Sequence, residues 1–282
     1  MIVINDIPSL RACITSWKRN GETVGFVPTM GNLHEGHLQL VKHAKAHNHR
    51  VIVSIFVNPM QFGANEDLDA YPRTIEEDKA KLIAEGADAV FLPSVSDMYP
   101  SGLNAQTYVE VPGISDLLCG ASRPGHFRGV ATVVTKLFNM VQPDDAFFGE
   151  KDFQQLCVIR TMTRDLSMPI TIHGIPTQRE SSGLAMSSRN GYLSDEQKAT
   201  ASTIYREMKA TEQRINAGER DYQMLASALE DKLISVGFKK DYVHIVNAST
   251  FMPASKDDTD IVILIAAFMG TTRLIDNLQI RC

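Results

Sequence analysis

The sequence predicts an α/β protein: a Rossmann-like, doubly wound parallel sheet, followed by a second, smaller α+β domain at the C-terminal end. Three observations predict this fold. Through residues 1–176, apolar runs rich in β-branched residues alternate with helical patterns, which is typical of parallel strands buried under helices. Through residues 177–282, two helical patterns are followed by strand-like runs. A chain of 282 residues is long enough for two such domains.

The first domain is expected to alternate between strand and helix. Its buried strands are predicted at residues 24–28, 51–57, 87–92 and 145–148, with a further extended segment at 169–175. Its helices are predicted at residues 38–46, 75–85, 130–141 and 153–166. This alternation predicts that residues 1–176 form one domain that binds its ligands at the carboxyl edge of the sheet.

The second domain is expected to contain helices at residues 195–216 and 221–236, then strands at 242–248, 261–268 and 272–276. Ser194 is a suitable N-cap for the first of these helices, and Gly237 suits the end of the second. Before the helices lies a polar loop, residues 178–190, that carries Met186–Asn190. We expect residues 177–282 to form a lid that presents this loop.

The composition narrows the class of protein. A net charge of −5 argues against non-specific binding to nucleic acid or to an anionic membrane. The N-terminal residues do not resemble a signal peptide, and no apolar stretch reaches the roughly 18 residues that span a bilayer. Four scattered cysteines without a Cys-x-x-Cys pair argue against a disulfide framework or a zinc cluster. These features predict a cytoplasmic protein.

The segment from Pro28 to His37 is the first candidate site. It joins an apolar strand to a helix that starts near Gly36, and the N–H groups at such a helix start bind anions. Gly31 permits a tight turn. His34 and His37 lie three residues apart, on one helix face, where each ring can donate an N–H bond to a polyphosphate. The alternatives are two histidines in a surface turn and half of a zinc site, for which no third ligand has suitable spacing.

Further polar residues follow two other predicted strands. Asn58 and Gln61 come after the second strand, and their neutral amides can bind the hydroxyls and carboxylate of a small acid; an ordinary polar loop is the alternative. Lys151 comes after the strand 145–148, where it supplies a positive charge for phosphate. Glu150 and Asp152 flank it, and either can instead cap the next helix.

Two loops complete the candidate residues. Ser187, Ser188 and Arg189 offer two hydroxyls and a cation in a loop that can close on a triphosphate and exclude water. The basic loop Arg123–Gly129 precedes a helix, and three roles remain open for it: binding pyrophosphate, binding the carboxylate of an amino acid, or packing against a second subunit.

The motifs together resemble a known family. The His34-x-Gly-His37 motif resembles the signature of the nucleotidylyltransferase and class I aminoacyl-tRNA synthetase superfamily, and Met186–Arg189 resembles its second signature, which usually carries lysines. From about residue 2 to residue 276, consecutive segments resemble the pantoate–β-alanine ligase family in order and spacing: PTMGNLHEGH, FVNPMQF, YPRT, RPGHFRG, FGEKDFQQL and AMSSRNGYL.

The resemblance implies an ATP-dependent ligase that joins (R)-pantoate and β-alanine into pantothenate. The reaction would pass through a pantoyl adenylate, release AMP and pyrophosphate, and use Mg²⁺, whose ligands the sequence does not define. A homodimer is also implied. Two alternatives remain open: another nucleotidylyltransferase on this scaffold, and a non-catalytic ATP sensor. A transfer RNA ligase is disfavoured because the chain has no anticodon-type domain and no basic excess.

The resemblance also assigns roles to individual residues. The catalytic residues it implies are His34, His37, Lys151, Ser187, Ser188 and Arg189. The ATP-binding residues are Met30, Gly31, Asn32, Leu33, His34, Glu35, Gly36, His37, Gly149, Glu150, Lys151, Asp152, Gln178, Met186, Ser187, Ser188 and Arg189. The residues for pantoate and β-alanine are Asn58, Gln61 and Gln155. Gln178 departs from the family pattern, which generally has an apolar residue at that position.

Overall fold

The computed structural model describes residues 1–64 and 66–282. The chain divides into two compact units. The first comprises Met1–Asp116, Arg123–Glu150 and Gln154–Pro176, and the second comprises Leu117–Ser122, Lys151–Phe153 and Thr177–Cys282. Two short segments within the first 176 residues therefore belong to the second unit. The functional division into a binding domain, 1–176, and a lid domain, 177–282, stays a prediction.

Among the described residues, six parallel strands form the sheet of the first unit. They are β1 (Ile2–Ile4), β2 (Val24–Thr29), β3 (Arg50–Ile55), β4 (Ala89–Phe91), β5 (Asp145–Gly149) and β6 (Thr171–Ile175). Their order across the sheet is β1-β4-β3-β2-β5-β6. The predicted parallel sheet is thus confirmed, and its strand order reverses direction between β2 and β5. A crevice outside the carboxyl ends of the strands at such a reversal is the usual ligand site of this fold.

Helices connect these strands, as the alternating pattern predicts. In chain order they are α1 (Ile7–Arg19), α2 (Glu35–His47), α3 (Ile75–Ala84), α4 (Val95–Met98), α5 (Cys119–Ser122), α6 (His126–Val141) and α7 (Phe153–Asp165). The core of the sheet includes Phe26, Ile52 and Phe91, whose side chains are fully buried. Burial of each such side chain stabilises the fold by roughly 1.5–3 kcal/mol relative to exposure.

The second unit is the predicted smaller α+β part. It contains α8 (Asp195–Ala201), α9 (Thr203–Asn216) and α10 (Tyr222–Ser235), and in the described chain its antiparallel sheet has the order β7 (Lys239–Asn247), β8 (Asp260–Met269), β9 (Thr272–Arg281). The prediction of one helix over residues 195–216 is wrong in one respect, because the structure divides this segment into α8 and α9 at Ser202. Ser194 is the N-cap of α8, where its hydroxyl accepts from the N–H of Gln197.

The turn after β2 is held by two side chains of α3. Asp78 is fully buried, and its carboxylate accepts from the N–H of Asn32 and the N–H of Leu33, both at 2.8 Å. Lys81 donates to the carbonyl of Leu33 at 2.7 Å. Gly31 has φ of +84°, a conformation that glycine adopts without strain. The backbone between β2 and α2 is therefore fixed by the neighbouring helix.

A second close contact joins α6 to the segment after β3. Gly129 of α6 packs against the main chain of the 3₁₀ turn Pro59–Gln61, and a Cβ at this position would lie 2.4 Å from the carbonyl oxygen of Met60. The side-chain amide of Asn58 donates to the carbonyl of Gly129 at 3.1 Å. Only a residue without a side chain lets the two backbones approach this closely.

The substitution Asp78→Asn tests how much the Asp78 carboxylate stabilises the turn between β2 and α2. We expect Asp78→Asn to lower the free energy of unfolding by about 1.5–3 kcal/mol, because a buried charge that accepts two backbone N–H bonds is replaced by an amide with one acceptor atom. Urea denaturation at pH 7 measures the change. Glu77→Gln is the matched control, since Glu77 is exposed on the same helix turn and its replacement should stay within about 0.5 kcal/mol. Equal losses in the two variants would contradict this role for Asp78.

Replacing Gly129 by Ala tests the close approach of α6. We expect Gly129→Ala to destabilise the fold by about 1–3 kcal/mol through overpacking, although alanine has the better helix propensity. Thermal unfolding compared with Gly191→Ala measures this, because a Cβ at Gly191 meets nothing within 4 Å. A Gly129→Ala variant as stable as the unmodified protein would show that the turn can move away.

Candidate active site

His34 and His37 lie at the N-terminal end of α2, directly after the turn that Asp78 holds. Nδ1 of His34 accepts from the N–H of Gly36 at 3.1 Å, and Nδ1 of His37 accepts from the N–H of His34 at 3.3 Å. The two ring centroids are 4.1 Å apart. Because both Nδ1 atoms act as acceptors, the hydrogen of each neutral ring lies on Nε2. The backbone thus fixes the same tautomer in both rings, with the hydrogen on Nε2.

Glu35 stands between the two histidines in sequence and brings a negative charge to the same helix start. Its carboxylate forms an ion pair with Lys42 at 2.8 Å and accepts from the amide of Gln39 at 2.6 Å. The hydrogen bond from Lys42, followed by that from Gln39, lowers the pKa of Glu35 below its ordinary value. The negative charge of Glu35 is therefore offset by a cation from its own helix.

Gln61 is held through both ends of its side-chain amide. Its oxygen accepts from Nδ2 of Asn58 at 3.1 Å, and its nitrogen donates to the sulfur of Met30 at 3.0 Å. By valence, the amide retains one further N–H and one further lone pair. The residue predicted to bind the acid substrate therefore contacts Met30, the first residue of the predicted ATP turn.

Asn58 is almost fully buried, with 1% of its surface exposed, and its amide is saturated within the protein. Its nitrogen donates to Gln61 and to the carbonyl of Gly129, while its oxygen accepts from the hydroxyl of Tyr99 at 2.6 Å and from the N–H of Met60 at 3.3 Å. Two donors and two lone pairs are all that an amide has. A direct contact of Asn58 with substrate stays a prediction; in this structure the side chain supports Gln61.

Tyr99 supplies one of these bonds from a buried position. Burial raises the pKa of Tyr99 above its ordinary value, so its hydroxyl keeps the hydrogen that it donates to Asn58. Tyr99, Asn58 and Gln61 consequently form a chain of hydrogen bonds that ends at the candidate acid-binding amide.

The end of β5 brings two more predicted residues to the reversal in strand order. Gly149 ends β5 and Glu150 follows it, while the neighbouring strand β2 leads into the turn with the histidines. A Cβ at Gly149 would meet nothing within 4 Å, so packing within the protein does not require glycine at this position. Gln155 lies half-buried in the first turn of α7.

The other predicted residues belong to the second unit, where residues 178–186 of the predicted loop form a hairpin. The N–H of Met186 donates to the carbonyl of Gln178 at 2.9 Å, and Arg179 pairs with Ala185. Arg179 forms an ion pair with the buried Asp276 of β9 at 2.6 Å. The structure therefore brings Gln178 next to Met186 and fastens the hairpin to the C-terminal sheet.

The segment after this hairpin carries the hydroxyls and the cation. Ser187 is the N-cap of the 3₁₀ helix Ser188–Tyr192, where its hydroxyl accepts from the N–H of Arg189 at 3.2 Å. Lys151 and Asp152 also belong to the second unit, and the carbonyl of Lys151 accepts from the amide of Asn277 at 2.8 Å. Hydrogen bonds within the unit thus define the backbone around these predicted ATP ligands.

Three supporting residues were missed by sequence reasoning. Asp78 and Lys81 belong to a charged stretch at the start of α3, and such charge usually marks a solvated helix end. Tyr99 lies in a loop without a recognisable pattern. Only the burial of Asp78 and Tyr99 distinguishes them, so the sequence contains no signal for either role.

Neither a membrane span nor a metal cluster occurs in the part of the chain that the structure describes. Across residues 1–64 and 66–282, no helix is long and apolar enough to cross a membrane. In the same described residues, no group of three or more His, Cys, Asp or Glu side chains is arranged to hold a metal ion.

Comparison with known proteins agrees with the resemblance of the motifs. The profile of the family described as pantoate-beta-alanine ligase matches residues 2–279. A pantothenate synthetase from Alteromonas mediterranea is 72% identical over 280 residues, which cover 99% of each chain. A crystal structure of pantothenate synthetase from Thermus thermophilus superposes with a TM-score of 0.92 at 46% identity and covers 99% of both chains.

A third relative has ligands in its structure. The pantoate-beta-alanine ligase from Francisella tularensis, complexed with beta-gamma ATP and beta-alanine, gives a TM-score of 0.84 at 36% identity and covers 99% of this chain and 97% of that one. Because the family profile and these relatives match essentially the whole chain, the chain belongs to the pantoate–β-alanine ligase family.

Proposed function

We propose that this chain is an ATP-dependent ligase that joins (R)-pantoate and β-alanine into pantothenate, with release of AMP and pyrophosphate. The observation that carries the proposal is the pair of histidines with a fixed tautomer at the reversal of strand order, after a turn whose Met30 bonds to Gln61. The ligands named for the Francisella tularensis relative, ATP and β-alanine, support the same substrates here.

In the first step, the carboxylate of pantoate attacks the α-phosphorus of ATP and displaces pyrophosphate. The new bond joins a carboxylate oxygen to phosphorus, the bond to the bridging oxygen breaks, and pyrophosphate leaves with its electron pair. Such a displacement needs in-line placement and neutralisation of charge. We assign part of the stabilisation of this charge to hydrogen bonds from Nε2–H of His34 and His37, whose tautomer is fixed before the charge develops.

The remaining ATP contacts in this proposal are those that the resemblance implies. Lys151 and Arg189 supply positive charge, Ser187 and Ser188 supply hydroxyls, and Gln178 and Met186 lie at the adenine end. Gly31, Asn32, Leu33 and Gly36 line the nucleotide, although their backbone N–H groups already bond to Thr29, Asp78 and His34. Gly149, Glu150 and Asp152 also contact the nucleotide. Because the net charge of the chain is −5, these local donors have to provide the attraction for the triphosphate.

In the second step, the amine of β-alanine attacks the carbonyl carbon of pantoyl adenylate, forms the amide and releases AMP. Gln61 and Gln155 hold pantoate by neutral amides, which leave its carboxylate nucleophilic in the first step. No general base is assigned to the amine. In this proposal the ammonium group of β-alanine loses one proton as it enters the site, and the second proton leaves to solvent as the amide forms. Positioning of the amine against the carbonyl carbon accounts for the rest of the rate. Exclusion of water matters because water would hydrolyse the mixed anhydride.

The proposal also includes Mg²⁺, a homodimer and a cytoplasmic location. Each of these three rests on the resemblance to the family. Mg²⁺ commonly binds through one or two carboxylates together with substrate phosphates, so it does not require a cluster of three protein ligands. The ion, when bound with ATP, supplies further neutralisation of the phosphates.

Isotope exchange between ATP and pyrophosphate tests the reaction. With pantoate present and β-alanine absent, we expect labelled pyrophosphate to enter ATP, because the first step is reversible and complete without the amine. Addition of β-alanine should then yield AMP and an amide. A nucleotidylyltransferase would instead leave the nucleotide on its product, and an ATP sensor would bind ATP without exchange. Either result would overturn the proposal.

His37→Ala tests the role of the histidine pair. Loss of one such donor should lower the exchange rate on the order of 100- to 1000-fold while the protein stays folded. His37→Gln keeps an N–H at a comparable position and should retain more activity than His37→Ala. His43→Ala, an exposed histidine on the same helix, is the matched control and should leave exchange unchanged. Near-normal exchange in His37→Ala would remove His37 from the mechanism.

A further inference from the structure

We propose that Arg123 and His126 are positioning residues for the acid subsite: together they clamp the main-chain carbonyl of Gln61. Glu66 orients Arg123 for this task. The inference rests on the proposed function, in which Gln61 binds pantoate and β-alanine. It also assigns a role to the basic segment Arg123–Gly129, for which the sequence leaves three roles open. The prediction that this whole segment is a loop is wrong, because α6 begins at His126.

The two side chains meet on one oxygen. Nδ1 of His126 lies 2.8 Å from the carbonyl oxygen of Gln61, and Nη2 of Arg123 donates to the same oxygen at 3.2 Å. A carbonyl oxygen has two lone pairs, so these bonds saturate it. The main chain of Gln61 is thus held by two donors that come from a segment more than 60 residues later in the sequence.

These contacts define the hydrogen positions on the histidine. The carbonyl can only accept, so Nδ1 of His126 carries a hydrogen; the guanidinium of Arg123 can only donate, so Nε2, 3.0 Å from Nη1, is an acceptor. His126 therefore acts as the neutral Nδ1–H tautomer. Arg123 selects that tautomer, which is the one that can bind Gln61.

Glu66 fixes the guanidinium in turn. Its carboxylate accepts from Nε of Arg123 at 2.7 Å and from Nη2 at 2.5 Å, which is a bidentate pair. Burial favours the neutral acid, but the hydrogen bond and charge of Arg123 outweigh it and lower the pKa of Glu66. The ion pair is therefore present at neutral pH and neutralises the cation.

The number of donors on Arg123 distinguishes positioning from anion binding. A guanidinium has five N–H groups, and the contacts to Glu66, Gln61 and His126 use four of them. One N–H cannot form the two-pronged contact that makes arginine a good ligand for carboxylate or phosphate. With its charge paired to Glu66, Arg123 suits an internal support better than a site for pyrophosphate.

Gln61 is consequently fixed from two sides. Asn58 holds the side-chain oxygen, and the pair Arg123–His126 holds the main-chain oxygen. Gly129, in the first turn of α6, packs directly against the main chain of Met60 and Gln61. Removing the clamp should therefore displace the Gln61 amide and weaken acid binding, with little effect on ATP.

Substitutions at His126 test the clamp by steady-state kinetics. We expect His126→Ala to raise the KM for pantoate about tenfold and to leave the KM for ATP within about twofold, because one hydrogen bond to Gln61 is lost. His126→Asn retains an N–H near the position of Nδ1 and should restore most of the affinity for pantoate. A KM for ATP that rises while the KM for pantoate stays constant would overturn the inference in favour of an anion site.

Substitutions at Arg123 separate fork geometry from charge. Arg123→Lys keeps the positive charge but loses the planar guanidinium, whose N–H groups bind Glu66, Gln61 and His126 at the same time. We therefore expect Arg123→Lys to raise the KM for pantoate as much as Arg123→Ala does. If Arg123→Lys behaves like the unmodified protein while Arg123→Ala does not, charge alone suffices and the clamp is wrong. Arg128→Ala is the control in the same basic segment, because Arg128 pairs with the exposed Glu110. This variant should change neither the KM for pantoate nor the KM for ATP.

Gln61→Ala distinguishes failure of the inference from failure of the proposed function. If Gln61→Ala leaves the KM for pantoate unchanged, Gln61 does not bind the acid, and both this assignment and the clamp fail. The ligase function itself fails only if pantoate-dependent ATP–pyrophosphate exchange is absent. If Gln61→Ala raises that KM but His126→Ala and Arg123→Lys do not, only the clamp fails. Cooperative thermal unfolding verifies that each variant is folded; should His126→Ala not fold, Arg123→Lys with His126→Asn decides by the same criteria.

Discussion

Parallel pairing of β2 with β5, at the point where the strand order reverses, is the constraint on which the candidate site of the first unit depends. Gly25 and Phe26 of β2 lie opposite Asp145 and Ala146 of β5, so the two strands run side by side and end at the same edge. The strands on either side continue in opposite directions across the sheet. The loops after β2 and β5 are thereby left facing one crevice, and the N-terminal end of α2 with its two histidines begins there.

Most charges around this crevice are compensated within the protein. Asp78 is committed to backbone N–H groups, Glu35 to Lys42, and Glu66 to Arg123. The ligand contacts proposed for the first unit are oriented neutral donors, the imidazoles of His34 and His37 and the amide of Gln61. Fixed neutral donors stabilise a developing charge without reorganising during the reaction. An acidic chain can therefore bind a triphosphate locally.

The sequence predicted the parts of this fold whose pattern is strong and local. The β-branched runs of β2 and β3 and the Gly-rich turn before His34 and His37 were sufficient for the sheet, its type and the first motif. The short β1 was missed because it has three residues, two of them exposed. Helix α1 was also missed, although Leu10, Ile14 and Trp17 have helical spacing. Supporting contacts such as Asp78 to Asn32 could not be predicted, because they join residues 46 positions apart.

Asn58 and Gln61 show why residue type alone does not define a role. Both are amides in one short turn, and sequence reasoning gives them the same task. Hydrogen bonding separates them, since every hydrogen-bonding position of Asn58 is used internally whereas Gln61 retains two. A neutral amide binds a carboxylate without lowering its nucleophilicity as a cation would. Because the amide lacks the long-range attraction of a cation, the strength of its binding depends on how it is oriented. That dependence explains why one glutamine is supported by Asn58 on its side chain and by Arg123 and His126 on its backbone.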